Sequence, residues 1–258
     1  MKPTTPRAAR RQSAKSAKGS PSLEDVARRV SKARVPGVNK ARVERARRIL
    51  TSYLQTAYAH QVPARDVVAE MASGKAAWRL GMALRDELMK SPPEVVTNAA
   101  CAEGCAFCCI LSGGEGGVIT AHEAAALHKA LTPLAGQPDG RAWHPKACPA
   151  LDPATRSCRA YDVRPMICRS FVSTDAGACE ANAEGGKERG AGILGNHVDY
   201  LLVLALSRAA LKGITQVQSY SLAQTAALGV AASESFAEAR QKSAALETAC
   251  HDAVQAAS

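Results

Sequence analysis

Apolar residues recur at helical spacing near the start of the chain. Ser22 can cap a helix whose apolar face carries Leu23, Val26 and Val30, because residues three and four apart share one side of a helix. Pro36-Gly37 interrupts the pattern, since neither residue readily continues a helix. The spacing therefore predicts a short helix that ends before residue 36.

Two longer helical stretches follow this break. Asn39 can cap the first, in which Val43 and Leu50 lie on one face. The second covers residues 66–90 and stops at Ser91-Pro92-Pro93, because proline removes a backbone donor and clashes with the preceding turn. This half of the chain is predicted to be entirely helical.

Helical periodicity returns later in the chain. Thr120 and Glu123 form a capping box, in which the hydroxyl and the carboxylate satisfy backbone N–H groups reciprocally. A buried helix is predicted from Asn196 to near Gly213. A last helical section is predicted over residues 219–256, with a possible break at Gly229.

Between the helical ends lies an irregular region that contains most of the cysteines. Residues 132–147 and 180–192 are rich in Gly, Pro or polar residues and are predicted to be loops. The fold class is therefore mostly α, with helical flanks around a loop-rich cysteine core. Four regions are predicted: a basic tail over 1–21, a helical N-terminal region over 22–95, a cysteine-cluster metal-binding domain over 96–192, and a helical C-terminal region over 193–258.

The positive charge is concentrated at the N-terminus. Residues 1–48 contain 15 Lys and Arg against 3 acids, whereas residues 49–258 contain 18 against 20. Residues 1–20 have no acid and no aromatic residue, so we expect a disordered tail. An alternative is that residues 1–48 bind nucleic acid or an acidic protein partner electrostatically.

The sequence contains no segment typical of a membrane protein. The longest apolar run is Tyr200–Leu206, much shorter than the roughly 20 residues that span a bilayer. Arg10-Arg11 is followed by no apolar segment, which argues against a signal peptide. We therefore expect a cytoplasmic protein without membrane contact, in which cysteines stay reduced.

Eight of the nine cysteines lie between residues 101 and 179. Clustered cysteines in a reducing compartment indicate metal ligation, and thiolates prefer zinc or iron–sulfur centres to magnesium or calcium. Cys250 lies apart and is interpreted as a small residue on a helix face. The predicted metal ligands are Cys101, Cys105, Cys108, Cys109, Cys148, Cys158, Cys168 and Cys179.

The adjacent pair Cys108-Cys109 argues against a single mononuclear site. Neighbouring residues on a helix point about 100° apart, and on a strand they point to opposite faces. Both can ligate one tetrahedral ion only with strain. The eight thiolates are enough for two four-coordinate sites, for one cluster plus one ion, or for one polynuclear centre, and these alternatives stay open.

Arginines are interleaved with the later cysteines. A divalent ion held by four thiolates has a net charge of about −2, which nearby cations and N–H groups must offset. Arg164 and Arg169 are therefore predicted to stabilise the site from outside the ligand set. We expect one of them to donate to a sulfur or to the backbone of a turn that carries a cysteine.

Several linked motifs in this region resemble one family. They are the cysteines at 101–109, Gly117–Glu123, Cys148-Pro149, Cys158–Tyr161, Arg164-Pro165, Cys168–Phe171 and Cys179. The pattern resembles the bacterial CxxCxxCC cysteine-cluster family, the YkgJ-like proteins described as zinc- or iron-chelating. The resemblance covers residues 101–179 and implies a metal or iron–sulfur centre at these cysteines, but not a reaction.

Two resemblances support the alternative that the protein is an enzyme. A relative within the family, the flagellin lysine-N-methylase, is an enzyme with an iron–sulfur cluster. Cys101, Cys105, Phe107 and Cys108 also fit the radical S-adenosylmethionine motif, but no series of β/α units follows. No paired carboxylates or nucleotide-binding loop indicate catalysis. The sequence thus favours a metal-binding module with a structural, metal-handling or redox role, over an iron–sulfur-dependent methyltransferase or oxidoreductase.

Overall fold

The structure is a computed structural model that describes residues 21–111 and 113–256. It is mostly helical with few short strands, as the sequence predicts. The predicted basic tail over residues 1–21 lies outside the described residues except for Pro21. Within the described ranges, no helix combines the length and the apolar character needed to cross a membrane.

Helices account for most of the described residues. The α-helices are α1 (Leu23–Lys32), α2 (Lys40–Ala59), α3 (Ala64–Ser73), α4 (Lys75–Lys90), α5 (Glu94–Thr97), α6 (Ala121–Leu131), α7 (Met166–Ser170), α8 (Ala176–Ala183), α9 (Gly195–Ala210), α10 (Leu222–Val230) and α11 (Ser243–Ala256). The 3-10 helices are Phe107–Cys109, Thr132–Leu134, Gly140–Ala142, Tyr161–Val163 and Ala237–Ala239. The strands are β1 (Val118–Thr120), β2 (Phe171–Ser173), β3 (Ala191–Ile193) and β4 (Ser219–Ser221).

The first two helices begin at the caps that the sequence predicts. The Ser22 hydroxyl accepts a hydrogen bond from the Asp25 N–H at 3.2 Å, and the Asp25 carboxylate accepts one from the Ser22 N–H at 3.4 Å. Asn39 Oδ1 accepts one from the Ala41 N–H at 2.8 Å. These bonds satisfy N–H groups that a first helical turn leaves without a partner.

The single helix predicted over residues 66–90 is wrong, because the chain forms α3 and α4 instead. Gly74 separates them in a left-handed conformation with a φ of 78°. A Cβ atom at this position would lie 2.3 Å from Thr120 Cγ2. The break therefore serves a close contact with a residue distant in sequence, which the local periodicity does not reveal.

Helix α9 forms the centre of the larger hydrophobic core. It is buried along most of its length and contacts α1, α2, α3, α4, α7 and α11. Its central residues Tyr200, Leu202 and Leu204 are at most 1% exposed. The predicted buried helix is confirmed, and its role is to join the N-terminal helices to the last helix.

A smaller core surrounds the contact between α6 and α10. Gly229 lets the two helices approach closely, because a Cβ atom there would lie 2.9 Å from Leu131 Cβ. The last helical section is broken close to Gly229, as predicted, although Gly229 itself lies inside α10 and serves packing. The helix ends one residue later, at Val230, and Ala232 then adopts a positive φ of 51°.

Two antiparallel strand pairs complete the fold. Val118 in β1 lies opposite Ser221 in β4, and Phe171 in β2 lies opposite Ile193 in β3. Strands of three residues are too short for an alternating pattern to predict them. The predicted loop over 180–192 is partly wrong, because α8 extends into its start and β3 includes its end.

Glu123 connects the two cores. The predicted capping box is confirmed, since the Thr120 N–H donates to the Glu123 carboxylate at 2.8 Å and the Glu123 N–H donates to Thr120 Oγ1 at 3.2 Å. The same carboxylate accepts hydrogen bonds from the Met166 N–H at 2.8 Å and from the Tyr200 hydroxyl. Glu123 therefore ties the start of α7 to both α6 and α9.

The basic residues of the N-terminal helices partly serve helix packing. Arg45 pairs with the buried Asp199 at 2.9 Å. Arg47 donates to the carbonyl of Ala33 at 2.9 Å, which joins α2 to the end of α1. Binding of nucleic acid or an acidic partner by residues 1–48 stays a prediction.

Candidate metal centre

The eight clustered cysteines come from separate parts of the central region. Four lie in the loop and 3-10 helix of residues 101–109. Cys148 and Cys158 lie in irregular chain, Cys168 lies on α7 and Cys179 lies on α8. Their arrangement therefore depends on how these segments are held against one another.

All eight of these cysteines line one cavity of about 710 Å³. They are free thiols, and none forms a disulfide. Cys101 and Cys108 are exposed, Cys148 and Cys179 are buried, and the other four are half-buried. The structure thus brings together every cysteine that the sequence predicts to be a ligand.

The thiols stand along the cavity wall and do not converge on a point. Among residues 21–111 and 113–256, no three Cys, His, Asp or Glu side chains stand close enough together to hold a metal ion. Ligation by three or four of these thiols would require side chains to rotate from the wall towards the cavity. The chain positions the donors in one place without fixing a coordination geometry.

The strand β2 and the helix α8 hold Cys101 and Cys179 on one side of the cavity. The Ala100 N–H donates to the Ser173 carbonyl at 2.8 Å, and the Cys101 thiol donates to the same oxygen at 3.8 Å. Asp175 then caps α8 by accepting from the Ala178 N–H at 3.0 Å. The helix packs against the 3-10 helix of residues 107–109.

Backbone bridges connect Cys109, Cys148 and Cys158. The Cys148 N–H donates to the Cys109 carbonyl at 2.8 Å. Leu151 and Cys158 form an isolated antiparallel bridge. The first contact joins segments 39 positions apart, whereas the second closes the local turn that leads to Cys158.

A tight turn leads the chain to Cys158. Asp152 Oδ1 accepts hydrogen bonds from the N–H groups of Ala154 and Thr155, each at 2.9 Å. Arg156 follows in a left-handed conformation with a φ of 58°. An aspartate that bonds the backbone two residues ahead is typical of such turns, so the local sequence accounts for this geometry.

The adjacent thiols of Cys108 and Cys109 interact directly. A hydrogen bond from Cys109 lowers the pKa of Cys108 to about 7, and the charge of Arg164 contributes to the same shift. Sharing its proton with Cys108, together with burial, raises the pKa of Cys109 well above its usual value. Cys108 is therefore the thiol in this pair that ionises first.

Burial stabilises the protonated form of the other thiols for which the structure indicates a shift. Burial raises the pKa of Cys148 to about 12, and it also raises the pKa values of Cys101, Cys158 and Cys168. The charged thiolate is disfavoured away from water unless a cation compensates it. A metal ion can supply this compensation, because metal ions bind the deprotonated thiol.

Arg164 lies on the cavity wall beside the cysteines. Its positive charge favours the thiolates of Cys108, Cys158 and Cys168. The guanidinium carbon lies 3.5 Å from the centre of the Tyr161 ring, and Nε donates to the Tyr161 carbonyl at 3.2 Å. Tyr161 therefore holds this cation next to the thiols.

Arg169 stabilises the turn between Cys158 and Cys168. It donates to the carbonyls of Arg164 at 2.7 Å and of Asp162 at 2.5 Å. These contacts agree with the expectation that one arginine donates to the backbone of a turn that carries a cysteine. Its positive charge also favours the thiolate of Cys158.

Sequence reasoning missed three residues that shape this region. Tyr161 and Arg156 line the cavity, and Glu123 fixes the start of the helix that carries Cys168. The capping box predicts that Glu123 caps α6. Its second role, fixing the start of α7, is visible only from the hydrogen bond that it accepts from the Met166 N–H. Cys250 lies outside the cavity, where its buried thiol donates to the Leu201 carbonyl at 3.7 Å, consistent with its interpretation as a helix-face residue.

The cysteine region matches a known family model over residues 100–188. It is the CxxCxxCC model. Its description is "Putative zinc- or iron-chelating domain". The resemblance that the sequence predicts is confirmed for this part of the chain, and the description supports metal binding with zinc or iron. No curated protein and no solved structure matches the chain.

The donor set of the CxxCxxCC region fits such a metal. Eight free thiols share one cavity, and thiolates are the ligands that select zinc or iron–sulfur centres. Arg164 provides positive charge beside them, as a site with several thiolates requires. The chemistry of the cavity therefore suits a metal centre better than a site for a purely polar ligand.

Proposed function

We propose that the CxxCxxCC region binds zinc or an iron–sulfur cluster through the eight cysteines that line the cavity. The observation that carries this proposal is the gathering of all eight thiols, from segments up to 78 positions apart, around one cavity. Packing alone does not explain so many thiols in one place, because buried structural cysteines occur singly. Arg164 and Arg169 would stabilise the loaded site from outside the ligand set.

The proposed role is structural, metal-handling or redox. Bound metal would replace thiol protons and hold the irregular segments of the cavity wall together, which couples metal binding to folding of this region. An iron–sulfur cluster would in addition supply electron transfer. We propose that the protein acts in the cytoplasm, where thiols are kept reduced and available for metal.

Metal analysis of the full chain tests this proposal. After anaerobic purification, elemental analysis is expected to find zinc or iron bound to the protein, and visible absorption distinguishes an iron–sulfur cluster from colourless zinc. The variant Cys148→Ala is expected to lose metal. The variant Cys250→Ala is a matched control, since Cys250 is also buried but lies outside the cavity.

Two results would contradict the proposal. One is a full-length protein that contains no metal after anaerobic purification and does not bind added zinc or iron. The other is metal content that falls equally in the Cys148 and Cys250 variants while circular dichroism shows both to be folded. Either result would mean that the cavity thiols are not the ligands.

The enzyme alternative makes a separate prediction. An iron–sulfur-dependent methyltransferase that uses S-adenosylmethionine would bind this cosubstrate, and calorimetry with the metal-loaded protein measures such binding. Specific binding that is lost in a metal-free sample would favour the enzyme over a metal-binding module. An oxidoreductase would instead show a cluster that is reduced and reoxidised reversibly.

A further inference from the structure

The positions of the eight cysteines divide them into two groups of four. The first quartet comprises Cys101, Cys105, Cys108 and Cys179. The second quartet comprises Cys109, Cys148, Cys158 and Cys168. The backbone contacts between the segments that carry the cysteines follow this division.

The first quartet is assembled by β2 and α8. The contacts of Ala100 and Cys101 with the Ser173 carbonyl hold the start of the cysteine loop against β2. Two residues beyond that carbonyl, Asp175 caps α8, which carries Cys179 and packs on the 3-10 helix that includes both Cys108 and Cys109. The chain path from β2 into α8 therefore brings Cys179 to the loop of the first three cysteines.

The second quartet is assembled by different contacts. The hydrogen bond from the Cys148 N–H to the Cys109 carbonyl measures 2.8 Å, and the bridge between Leu151 and Cys158 brings the next cysteine alongside. Glu123 fixes the first residue of α7, the helix that carries Cys168. No residue of α8 takes part in these contacts.

Cys108 and Cys109 mark the boundary between the quartets. They are consecutive residues of one 3-10 helix, so their side chains leave the helix in different directions. Cys108 is exposed and Cys109 is half-buried, and both line the cavity. Such a pair can supply one ligand to each of two neighbouring sites without strain.

We infer that the chain holds two four-thiolate metal sites, one formed by each quartet. This inference rests on the proposed function of the cysteine cavity. Four thiolates complete the ligand set of a zinc ion or of an iron–sulfur cluster, so eight cysteines fill two such sites. Arg164 lies on the wall of the cavity that both quartets line, where its positive charge offsets part of their negative charge.

The two sites differ in access to solvent. The first quartet contains both exposed cysteines, Cys101 and Cys108, whereas the second contains none. A chelator therefore reaches the first site more easily. We expect metal to leave in two kinetic phases of about equal size, the first of which empties the first quartet.

Thiol labelling of the unmodified chain tests the division. Protein purified anaerobically with its metal is treated with EDTA, and samples are alkylated with iodoacetamide while elemental analysis follows the metal that remains. Mass spectrometry with peptide fragmentation assigns the label to individual cysteines. When about half of the metal has left, we expect label on the first quartet and protection of the second.

Paired substitutions provide a second measurement. Cys101→Ser with Cys105→Ser is expected to remove about half of the metal and to leave the second quartet protected from alkylation. Cys158→Ser with Cys168→Ser is expected to remove the other half. The control Cys250→Ser is expected to retain all of it.

The outcomes separate this inference from the proposed function. Parallel labelling of all eight cysteines, or early labelling of a set drawn from both quartets, would overturn the division while leaving metal binding intact. A shared polynuclear centre would also lose all metal in either paired variant. A chain that binds no metal at all would overturn the proposed function and the division with it.

Discussion

The Glu123 carboxylate accepts a hydrogen bond from the backbone N–H of Met166 at 2.8 Å, across 43 positions of sequence. Met166 is the first residue of α7, and Cys168 lies two residues further along that helix. Glu123 is 3% exposed and also accepts hydrogen bonds from Thr120 and Tyr200. One buried carboxylate therefore positions a predicted metal ligand relative to both hydrophobic cores.

Replacement of this carboxylate is expected to destabilise the protein. Glu123→Gln removes a charge that several donors share, so we expect the free energy of unfolding in urea to fall by about 2–4 kcal/mol. The matched control is Glu87→Gln, because Glu87 is exposed and pairs with Lys90 at the surface. Its effect should stay below about 0.5 kcal/mol. Equal effects of the two substitutions would contradict the role of Glu123.

A pair of glycine substitutions separates backbone strain from close packing. Gly74 and Gly37 have similar positive φ values of 78° and 74°, but only Gly74 faces a neighbour, Thr120, at 2.3 Å from a Cβ position. Gly37→Ala is expected to cost about 1 kcal/mol from strain alone. Gly74→Ala is expected to cost at least about 2 kcal/mol more in urea unfolding, since Thr120 is buried in the capping box. Similar losses in both variants would show that the contact with Thr120 is unimportant.

His197 is expected to make stability depend on pH. Burial lowers the pKa of His197 from 6.5 to about 4, so the folded protein holds it neutral while the unfolded chain binds a proton below about pH 6.5. Its contribution is therefore fully present above pH 6.5 and is lost as the pH falls towards 4. By linkage, the loss at pH 5 is about 2 kcal/mol.

Chemical denaturation between pH 5 and pH 7.5 measures this effect. His197→Phe retains a ring that can stack on Tyr200, and we expect its stability to fall less steeply with decreasing pH than that of the unsubstituted chain. His60→Phe is the control, because His60 is exposed and its substitution should leave the slope unchanged. Identical slopes for all three proteins would contradict the assignment to His197.

Removal of metal is expected to loosen one part of the structure selectively. The segments 101–109 and 148–168 contain mostly irregular chain and short helices, whereas α2 and α9 are long and packed in the larger core. We expect hydrogen exchange after EDTA treatment to accelerate in the two cysteine segments by about tenfold or more, with little change in α9. Uniform acceleration across the chain would instead indicate that metal stabilises the whole fold.

Local signals in the sequence predict most of the helices and the family that the cysteine region resembles. The caps at Ser22, Asn39 and Thr120 can be predicted from residues within one turn of each helix start, and each cap is confirmed. The family resemblance follows from cysteine spacing and is confirmed over residues 100–188. These features depend on neighbours in the chain, which is why the sequence alone is enough to predict them.

Contacts between residues that are distant in sequence determine the helix break at Gly74 and the grouping of the cysteines, which the sequence alone does not predict. Gly74 breaks a helix because Thr120 lies against it, whereas Gly229 lies just inside the end of α10 because Leu131 requires close approach there. In the same way, the sequence determines that eight thiols are present in one region, but not which of them are neighbours. That grouping depends on β2, α8 and the bridges around Cys148, which join segments whose separation in sequence carries no information about their distance in space.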